Sequence, residues 1–370
     1  MKILYVTTIS LTMNSFFKPH IEMLVKEGNQ VDLACNFKEL ALASSYYDLG
    51  CNAYQVDFSR SPLSFDNLRA FIQLDKIVKD GNYDIVHCHT PNASVITRLV
   101  CQKYRKKEGL KVLYTAHGFH FYEGSPILNW MVYYPVEKIC SYFTDRLITI
   151  NSEDYELAKS KFKSKEIHYV PGVGVDFSRF GNDLVDTKAK RQELGVPENA
   201  FLMLSVGELN ENKNHQVIIR ALEKLNNQNA HYAIAGVGDK KDYLLDLAQQ
   251  LGVSEQVHLL GYRRDIEELI RMSDVFCFPS QREGLGLAAI EAMACGLPVI
   301  AANNRGTREF VYPDQNGFLC DCFDADAFAE ALNKVISDRT LRERLSKSTY
   351  NAVERFDVNN VLNIMKKVYG

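Results

Sequence analysis

The chain has 370 residues, about twice the size of one ordinary domain, so we expect two domains rather than one. Hydrophobic residues make up 46% and charged residues 24% of the sequence, which is typical of a globular protein and excludes a disordered or fibrous chain. The net charge of −3 gives the chain no overall positive charge with which to bind nucleic acid.

Short apolar runs rich in β-forming residues recur along the first half of the chain and predict strands. These runs are Ile3–Thr7, Val31–Ala34, Ile85–Cys88, Val112–Thr115, Leu147–Ile150 and Ile167–Val170. Segments of helical length separate them. Strands that alternate with helices form a parallel sheet with helices on both faces, which is a Rossmann-like domain that binds ligands at the carboxyl edge of its sheet.

The same alternation begins again near residue 201 and predicts a second sheet. Its strands are Phe201–Val206, Tyr232–Ala235, Val257–Leu259, Val275–Phe278 and Pro298–Ala301. Pro171–Gly174 and Asn182–Glu193 interrupt the pattern between the two halves. We therefore predict an α/β protein of two Rossmann-like domains, residues 1–180 and 181–355, with parallel sheets facing a central cleft. We expect residues 356–370 to form a helix that packs back on the first domain.

Several features predict a cytoplasmic protein. The opening MKILYVTTIS is too short an apolar run for a signal peptide, and no stretch approaches the ~20 apolar residues of a membrane span. The nine cysteines are odd in number and mostly lie in apolar runs, which suits reduced thiols. Val95–Lys107 ends in a basic cluster, consistent either with anionic lipid at the inner membrane face or with a solvated helix end. The apolar stretch Ile127–Phe143 is consistent either with contact to a lipid tail or with a core helix.

The most informative stretch is Phe278–Gly296, FPSQREGLGLAAIEAMACG, where a strand, a glycine-bearing loop and a helix from Leu287 are predicted in succession. The free N–H groups and the dipole of a helix N-terminus can hold a diphosphate. Gly284 and Gly286 allow the backbone to approach such a ligand closely.

Two acidic residues flank this predicted helix start. Glu283 and Glu291 would lie about 12 Å apart if the whole segment were helical, too far to share one proton. They suit two parts of an extended ligand, with Glu283 on a sugar hydroxyl and Glu291 on a ribose. The alternative is a capping acid and a buried structural acid.

These residues give the chain a resemblance to the retaining glycosyltransferases of family 4, which have the two-domain GT-B architecture and a signature of two glutamates separated by seven residues. Other segments that carry the resemblance cover nearly the whole chain: KILYV at the start, YDIVHCHTP (83–91), TAHGF (115–119), DRLITIN (145–151), VPGVGVD (170–176), SVGELNENKN (205–214) and NGFL (316–319). The nearest members are bacterial enzymes of polysaccharide and glycolipid synthesis.

The resemblance implies that the first domain takes the acceptor and supplies His117, while the second takes the nucleotide sugar and supplies Lys213. Lys213 would meet the phosphates of the leaving diphosphate. The implied catalytic residues are His117, Glu283 and Lys213, and the implied donor-binding residues are Glu208, Gly284, Leu285, Gly286, Glu291 and Arg263. A lone histidine after a strand is otherwise commonly structural.

The sequence departs from the family pattern in two loops. Glu208 stands where the family usually has arginine, and an acid there would repel phosphates. The missing cation could come from Arg263, Arg264 or Arg282, or Glu208 could face the sugar. The first loop, TTISLTMNS at 7–15, lacks the usual glycine pair, and the acceptor-binding candidates there are Asn14, Ser15 and Phe16.

Three patterns imitate metal sites without completing one. His87 and His89 lack a third ligand and are interpreted as residues of the sheet. Asp324 and Asp326 imitate a D-x-D motif but precede a helix-like run and suit an N-cap. Cys320 and Cys322 form a lone pair. We therefore expect no metal and no other cofactor.

The resemblance implies transfer of a hexose from a nucleotide-diphosphate sugar, with UDP as the expected nucleotide, to a glycan or polyprenyl-diphosphate-linked acceptor in capsule or exopolysaccharide synthesis. The sequence places no pair of carboxylates as nucleophile and acid, so we expect displacement on one face of the sugar. The alternatives are a GT-B epimerase or phosphorylase, or an inactive partner that only binds nucleotide sugar.

Overall fold

The computed structural model describes residues 1–180 and 186–370, without the side chains of residues 106–108. It divides into two compact units, one of Met1–Gly174 with Val358–Gly370 and one of Val175–Asp357. The division falls at Gly174 and again at Asp357, whereas the sequence placed it near residues 180 and 355. Part of the predicted linker Asn182–Glu193 lies outside the described residues.

Each unit contains one parallel sheet. The strands are β1 Lys2–Ile9, β2 Gln30–Asn36, β3 Ala53–Gln55, β4 Ile85–His89, β5 Lys111–Ala116, β6 Arg146–Thr149 and β7 Glu166–Tyr169 in the first unit, and β8 Phe201–Val206, β9 Ala230–Ala235, β10 Val257–Gly261, β11 Val275–Phe278, β12 Val299–Ala302 and β13 Gly317–Cys320 in the second. Their spatial orders are β3-β2-β1-β4-β5-β6-β7 and β10-β9-β8-β11-β12-β13. The predicted α/β fold with two parallel sheets is confirmed.

Helices connect the strands of each sheet. They are α1 Ser10–Phe16, α2 Lys18–Lys26, α3 Ser44–Asp48, α4 Asp66–Gly81, α5 Pro91–Glu108, α6 Ile127–Ser141, α7 Ser152–Lys161, α8 Thr187–Glu193, α9 Gln216–Leu225, α10 Lys241–Gln250, α11 Ile266–Arg271, α12 Leu287–Ala294, α13 Ala325–Ser337, α14 Arg339–Val353 and α15 Val358–Tyr369. Within residues 1–180 and 186–370, none of them combines the length and apolar character that a bilayer crossing requires.

The structure confirms one local prediction and adds two strands. The side chain of Asp324 accepts hydrogen bonds from the backbone N–H groups of Asp326 and Ala327, so the predicted N-cap of α13 is confirmed. The sequence did not predict β3 or β13, which are edge strands of three and four residues. Their sequences, AYQ and GFLC, contain none of the β-branched residues Val, Ile and Thr that occur in every predicted strand.

The last helix, α15, belongs to the first unit. It packs on α2, and Lys366 forms an ion pair with Glu27 at 2.7 Å. Its final tyrosine, Tyr369, reaches the sheet, where its hydroxyl lies 2.5 Å from Nδ1 of His87. The chain therefore returns to the first unit after completing the second.

Candidate active site

The carboxyl edge of the second sheet has a switch point between β8 and β11. These strands are neighbours, but β8 is followed by β9 on one side and β11 by β12 on the other. The loops that leave two such strands diverge, and ligands bind in the crevice between them. In this unit the two loops are residues 207–214 and 279–286, which hold most of the donor-side candidates of the sequence.

Hydrogen bonds join these two loops. The backbone N–H of Gln281 donates to the carbonyl oxygen of Asn212 at 2.8 Å, and the Asn212 side chain donates to the carbonyl oxygen of Arg282 at 3.1 Å. The Gln281 side chain also donates to the carbonyl oxygen of Glu211, at 3.1 Å. Side chains carried by the two loops are therefore held in a defined relative position.

The structure brings Lys213 and Glu283 together. Their charged groups lie 2.6 Å apart, and 23% of the Lys213 side chain and 16% of the Glu283 side chain are exposed. The Lys213 ammonium also lies 5.2 Å from the centre of the Phe278 ring, and its backbone N–H donates to Asn210 Oδ1. The lysine is thus fixed at the switch point with its charge balanced by one partly buried carboxylate.

The N-terminus of α12 lies beside this ion pair in the chain. Gly286 precedes the helix with a φ of 106°, a left-handed conformation that favours glycine. A Cβ atom there would lie 2.8 Å from Cε1 of Phe278, so space also requires glycine. Because the helix begins only at Leu287, Glu283 lies in the loop, and the 12 Å spacing derived for a continuous helix does not apply. The preceding Leu285 is buried.

A third loop, which follows β12, contacts the loop that carries Glu283. The sequence analysis did not identify this loop as part of the site. The Asn304 side chain donates to the carbonyl oxygen of Ser280 at 2.9 Å, and Arg305, which is buried, donates to the carbonyl oxygen of Glu283 at 3.4 Å. A Cβ on Gly306 would lie 2.9 Å from that of Glu283. Asn304, Arg305 and Gly306 could have been identified from the sequence because they closely follow a predicted strand, at its carboxyl end.

Glu291 lies on α12 and is half-buried. Burial raises the pKa of its carboxyl group, Arg179 opposes this change and Glu267 adds to it. Arg179 is itself paired with Glu267 at 2.5 Å. A half-buried carboxyl group on the helix that begins at the switch point is suited to hydrogen bonding with a neutral polar ligand group.

The other two charged donor-side candidates have partners of their own. Arg263 contacts Asp265 at 2.5 Å and Glu193 at 2.9 Å, and hydrogen bonds to these acids raise its pKa. Its guanidinium charge is therefore already balanced by two carboxylates. Glu208 is exposed on the loop that carries Lys213, and its carboxylate accepts a hydrogen bond from Asn210 at 3.0 Å.

The first sheet has its own switch point, between β1 and β4. The hydroxyl groups of Thr8 and Thr90, which lie at the ends of these strands, are 2.6 Å apart. The Asn14 amide donates to the carbonyl oxygen of Ala41 and accepts from the backbone N–H of Ala43, both at 3.0 Å. Asn14 thus ties α1 to a neighbouring loop, which is a structural reason for a polar residue that the sequence analysis assigned to acceptor binding.

The other two acceptor-side candidates, Ser15 and Phe16, are exposed on the same helix. His117 follows β5, is half-buried, and has Nε2 3.2 Å from Nδ1 of His89. Desolvation and the neighbouring His20 lower the pKa of His117 to about 4. Its imidazole is therefore neutral near pH 7 and is able to donate or accept a hydrogen bond.

In residues 1–180 and 186–370, no group of three or more His, Cys, Asp or Glu side chains has an arrangement that could hold a metal ion. His87 and His89 are buried within β4, as the interpretation of the H-x-H pattern required. All nine cysteines are free thiols.

Comparison with known proteins identifies the family. Residues 2–151 match the family described as "Glycosyl transferase 4-like", and residues 186–352 match "Glycosyl transferases group 1". The "Putative glycosyltransferase EpsD" of Bacillus subtilis (strain 168) is 36% identical, over 100% of this chain and 96% of that protein. The chain belongs to the glycosyltransferase 4-like, group 1 family.

Other relatives of this glycosyltransferase are more divergent. The Escherichia coli "UDP-Gal:alpha-D-GlcNAc-diphosphoundecaprenol alpha-1,3-galactosyltransferase" is 30% identical, over 94% of this chain and 89% of that protein. The crystal structure of Anabaena Alr3699/HepE in complex with UDP and glucose has a TM-score of 0.80 at 21% identity, covering 100% of this chain and 99% of that one. WaaG, a glycosyltransferase involved in lipopolysaccharide biosynthesis, has a TM-score of 0.74 at 18% identity, with 99% of each chain covered. The structural likeness identifies the GT-B fold.

Proposed function

We propose that this glycosyltransferase moves a hexose, with retention of anomeric configuration, from a UDP-linked donor to a lipid-linked sugar acceptor in the synthesis of a bacterial surface polysaccharide. The observation that carries the proposal is the Lys213–Glu283 pair at the switch point of the second sheet, beside the start of α12. The relatives support the details: the E. coli relative is named for UDP-Gal and a diphosphoundecaprenol-linked acceptor, and the Anabaena protein was crystallised with UDP.

In this proposal the donor phosphates compete with Glu283 for Lys213. The lysine ammonium and the first N–H groups of α12 stabilise the charge that gathers on the diphosphate as the sugar departs. Glu283, released from the lysine, accepts a hydrogen bond from a sugar hydroxyl and holds the ring. Glu291 binds the ribose. Because these fixed positive groups perform the task that a divalent cation performs in other transferases, we propose that the reaction needs no metal.

The chemical step is a displacement on one face of the sugar. The bond from the anomeric carbon to the diphosphate oxygen breaks and leaves an oxocarbenium-like sugar. The acceptor hydroxyl attacks from the face that the diphosphate leaves, and the leaving phosphate oxygen takes its proton. No second carboxylate acts as nucleophile, unlike in retaining glycosidases. Neutral His117, at the carboxyl edge of the first sheet, hydrogen-bonds the acceptor hydroxyl and supports the geometry of the attack.

The test is a transfer assay with a panel of nucleotide sugars and a polyprenyl-diphosphate-linked sugar, followed by NMR of the anomeric proton of the product. We expect the α-configuration of the donor to be retained and EDTA to leave the rate unchanged. Glu283→Gln should lower kcat by about 10² to 10³-fold, while Glu211→Gln, on an exposed acid in the neighbouring loop, should not. An inverted product, loss of activity in EDTA, or donor binding without any transfer would each contradict a part of the proposal.

We also propose that the first unit docks on an anionic membrane, where a lipid-linked acceptor would reside. The observation is the outer face of α6, which exposes 78% of Ile127, 69% of Met131 and 56% of Ile139. Further large apolar side chains share this exposure: Leu128, Val132, Tyr133 and Val136. A patch of this kind on one helix is typical of a surface that binds lipid or another protein.

The inner face of α6 is apolar as well, which makes the exposed face unusual for a helix at the surface. Trp130 and Tyr134 pack against an aromatic cluster that includes Phe121. The one acid of the helix, Glu137, is buried in an ion pair with Arg98 at 2.8 Å. The expectation that Ile127–Phe143 forms a core helix is therefore correct only for its inner face.

The charges around α6 favour an anionic partner. Its exposed charged residue is Lys138, and the exposed Lys163 lies at the end of the helix, where its backbone N–H donates to the hydroxyl oxygen of Ser141. The basic cluster of α5 is a weaker candidate because Arg105 is engaged by Asp145 at 2.7 Å. Lys103 is likewise paired, with Asp75 at 2.6 Å. Of that cluster, the side chains of residues 106 and 107 lie outside the described ones.

Vesicle sedimentation tests the membrane surface. The protein should bind vesicles that contain phosphatidylglycerol and should bind neutral phosphatidylcholine vesicles less, since lysines near anionic lipid contribute about 1 kcal/mol each. The double variant Met131→Glu/Ile139→Glu should lose this binding. Phe323→Glu, which changes an apolar residue of the second unit that is 74% exposed, should retain it. Equal binding by all three proteins contradicts the proposal, and a dimer dispersed by the double variant assigns the face to a second copy instead.

A further inference from the structure

Four histidines gather at the carboxyl edge of the first sheet, although the proposed reaction uses only His117. His87 and His89 lie on β4, and His20 comes from α2. All of them line one small cavity together with Tyr5 of β1. A polar cluster inside a domain is stable only when its hydrogen bonds are satisfied. The partner of each ring nitrogen therefore determines what the cluster can bind.

His89 is the member that contacts His117. Its ring is held among three aromatic side chains, with centroid distances of 4.6 Å to Tyr5, 4.2 Å to Phe17 and 4.2 Å to His87. This packing leaves the ring no freedom to turn, and its Nδ1 lies 3.2 Å from Nε2 of His117. The orientation of His117 therefore depends on a residue that is itself locked in the core.

Three polar atoms on the wall of the cavity have no hydrogen-bond partner. They are Nε2 of His89, Nδ1 of His20 and the hydroxyl oxygen of Tyr5, and all three are buried. The cavity has room for about one water molecule. A water in this position would meet three polar groups, which is the usual number of hydrogen bonds for a buried water.

The tautomer of His20 follows from its neighbour, and both nitrogens of His87 already have partners. Nε2 of His20 lies 2.7 Å from the carbonyl oxygen of Val173, and since a carbonyl only accepts, that nitrogen carries the proton. Nδ1 of a neutral His20 is then an acceptor. Both nitrogens of His87 are already engaged, by the hydroxyl groups of Thr115 at 2.8 Å and Tyr369 at 2.5 Å. The tautomer of His89 therefore depends on the group that its Nε2 meets in the cavity and on the contact of its Nδ1 with His117.

We propose that His89 is a positioning residue, which fixes the ring and the tautomer of His117 through its Nδ1, and that one buried water bound by Tyr5, His20 and His89 fixes the tautomer of His89 in turn. The inference rests on the role proposed for His117 in the reaction. The neutral water links three buried polar atoms of the cavity wall that lack partners. The His117 imidazole, which contacts the acceptor in the proposed reaction, is then held in one tautomer by hydrogen bonds that run from the buried water through His89.

Two variants of His89 separate its two nitrogens. In His89→Asn the side-chain amide occupies the position of Nδ1 and keeps the contact with His117, whereas in His89→Gln the amide reaches the position of Nε2 and loses that contact. We expect His89→Gln to lower kcat about tenfold, the scale of one hydrogen bond, without changing the KM for the donor. His89→Asn should retain most of kcat.

A readout independent of catalysis is the tautomer of His117, measured from its ring nitrogen shifts by NMR in the full chain. The tautomer should be unchanged in His89→Asn and altered in His89→Gln, while His168→Asn, at a half-buried histidine of β7 that pairs with Glu166, should affect neither tautomer nor kcat. Thermal unfolding shows whether each variant is folded. An unchanged tautomer and kcat in His89→Gln, or equal losses in both His89 variants, would overturn the proposal.

Two further outcomes keep this inference distinct from the proposed function. If His117→Gln retains full activity while His89→Gln still shifts the tautomer of His117 in the otherwise native chain, the catalytic role of His117 fails and the positioning contact stands. A crystal structure that resolves ordered waters tests the cavity directly. Density for a water within hydrogen-bond distance of Tyr5, His20 and His89 is expected, and a cavity without it would overturn that part of the proposal.

Discussion

The ammonium group of Lys213 lies 2.6 Å from the carboxylate of Glu283, although 70 residues separate the two in the chain. Each of them lies on a loop that leaves one of two neighbouring strands, and these strands flank the switch point of the second sheet. In this pair the Glu283 carboxylate balances the charge of the lysine, at the position proposed for the two phosphates of the donor. When the donor binds, its phosphates would replace the Glu283 carboxylate as the partner of Lys213, so the lysine would remain paired with a negative charge.

Loss of the lysine charge should therefore act mainly on the chemical step. We expect Lys213→Met to lower kcat by about 10² to 10³-fold, because the leaving diphosphate loses its fixed cation. Lys240→Met, which removes a lysine paired with Glu211 at the surface, is the matched control and should keep kcat. Steady-state kinetics with a saturating donor measure the effect. If the two variants had similar kcat values, the phosphate role of Lys213 would be refuted.

Gly286 should tolerate no side chain. Gly286→Ala must adopt a φ of 106° and place a Cβ 2.8 Å from the Phe278 ring, so we expect a loss of about 2–4 kcal/mol in the free energy of unfolding of the second unit. Gly252→Ala also has a positive φ, 71°, but its Cβ would meet nothing within 4 Å. This control should lose only about 1 kcal/mol. Urea denaturation compares the two, and equal losses would show that the contact with Phe278 is relieved by repacking.

Glu208 should weaken donor binding. Its exposed carboxylate lies on the same loop as Lys213, so Glu208→Gln removes a negative charge that repels the phosphates. We expect the KM for the donor to fall about two- to fivefold at low ionic strength, and the difference from the wild type to shrink at 0.5 M salt because screening removes the repulsion. An increase in KM would instead assign the carboxylate to a hydroxyl group of the donor.

The histidine cluster should make the first unit sensitive to acid. Burial lowers the pKa values of His20, His87 and His89, and that of His117 to about 4. Because the folded state resists protonation while unfolded histidines accept protons below about pH 6.5, stability is complete above that pH and decreases as the pH falls toward 4. Each histidine contributes up to ~1.4 kcal/mol per pH unit.

Hydrogen exchange followed by mass spectrometry provides the measurement for this pH dependence. Peptides that cover β4 and β5 should lose protection between pH 7.5 and 5.0, after correction for the intrinsic exchange rates. Protection that stays constant over this range would mean that the cluster takes up protons without unfolding.

Local sequence information was sufficient for most strands of the fold, though not for the edge strands β3 and β13. The apolar runs at 201–206 and 275–278 coincide with β8 and β11, and the amphipathic pattern at 358–369 coincides with α15. A strand or an amphipathic helix can be recognised in consecutive residues because the spacing of its apolar side chains is a local property of the sequence. The site residues Lys213, Glu283 and His117 were likewise marked by their positions after strands and by the family motifs.

What required the tertiary structure was the pairing of distant groups and the direction in which each side chain faces. Nothing local in the sequence tells that Arg263 pairs with Glu193, or that Arg305 donates to the carbonyl oxygen of Glu283. The same is true of α6, whose composition suits a core helix although its outer face is exposed. The sequence by itself determined all strands but β3 and β13, the alternation with helical segments that makes the sheets parallel, and the residue types of the site. Only the packing of elements far apart in the chain decided which charges meet and which apolar faces remain uncovered, because these properties depend on distances that no run of neighbouring residues encodes.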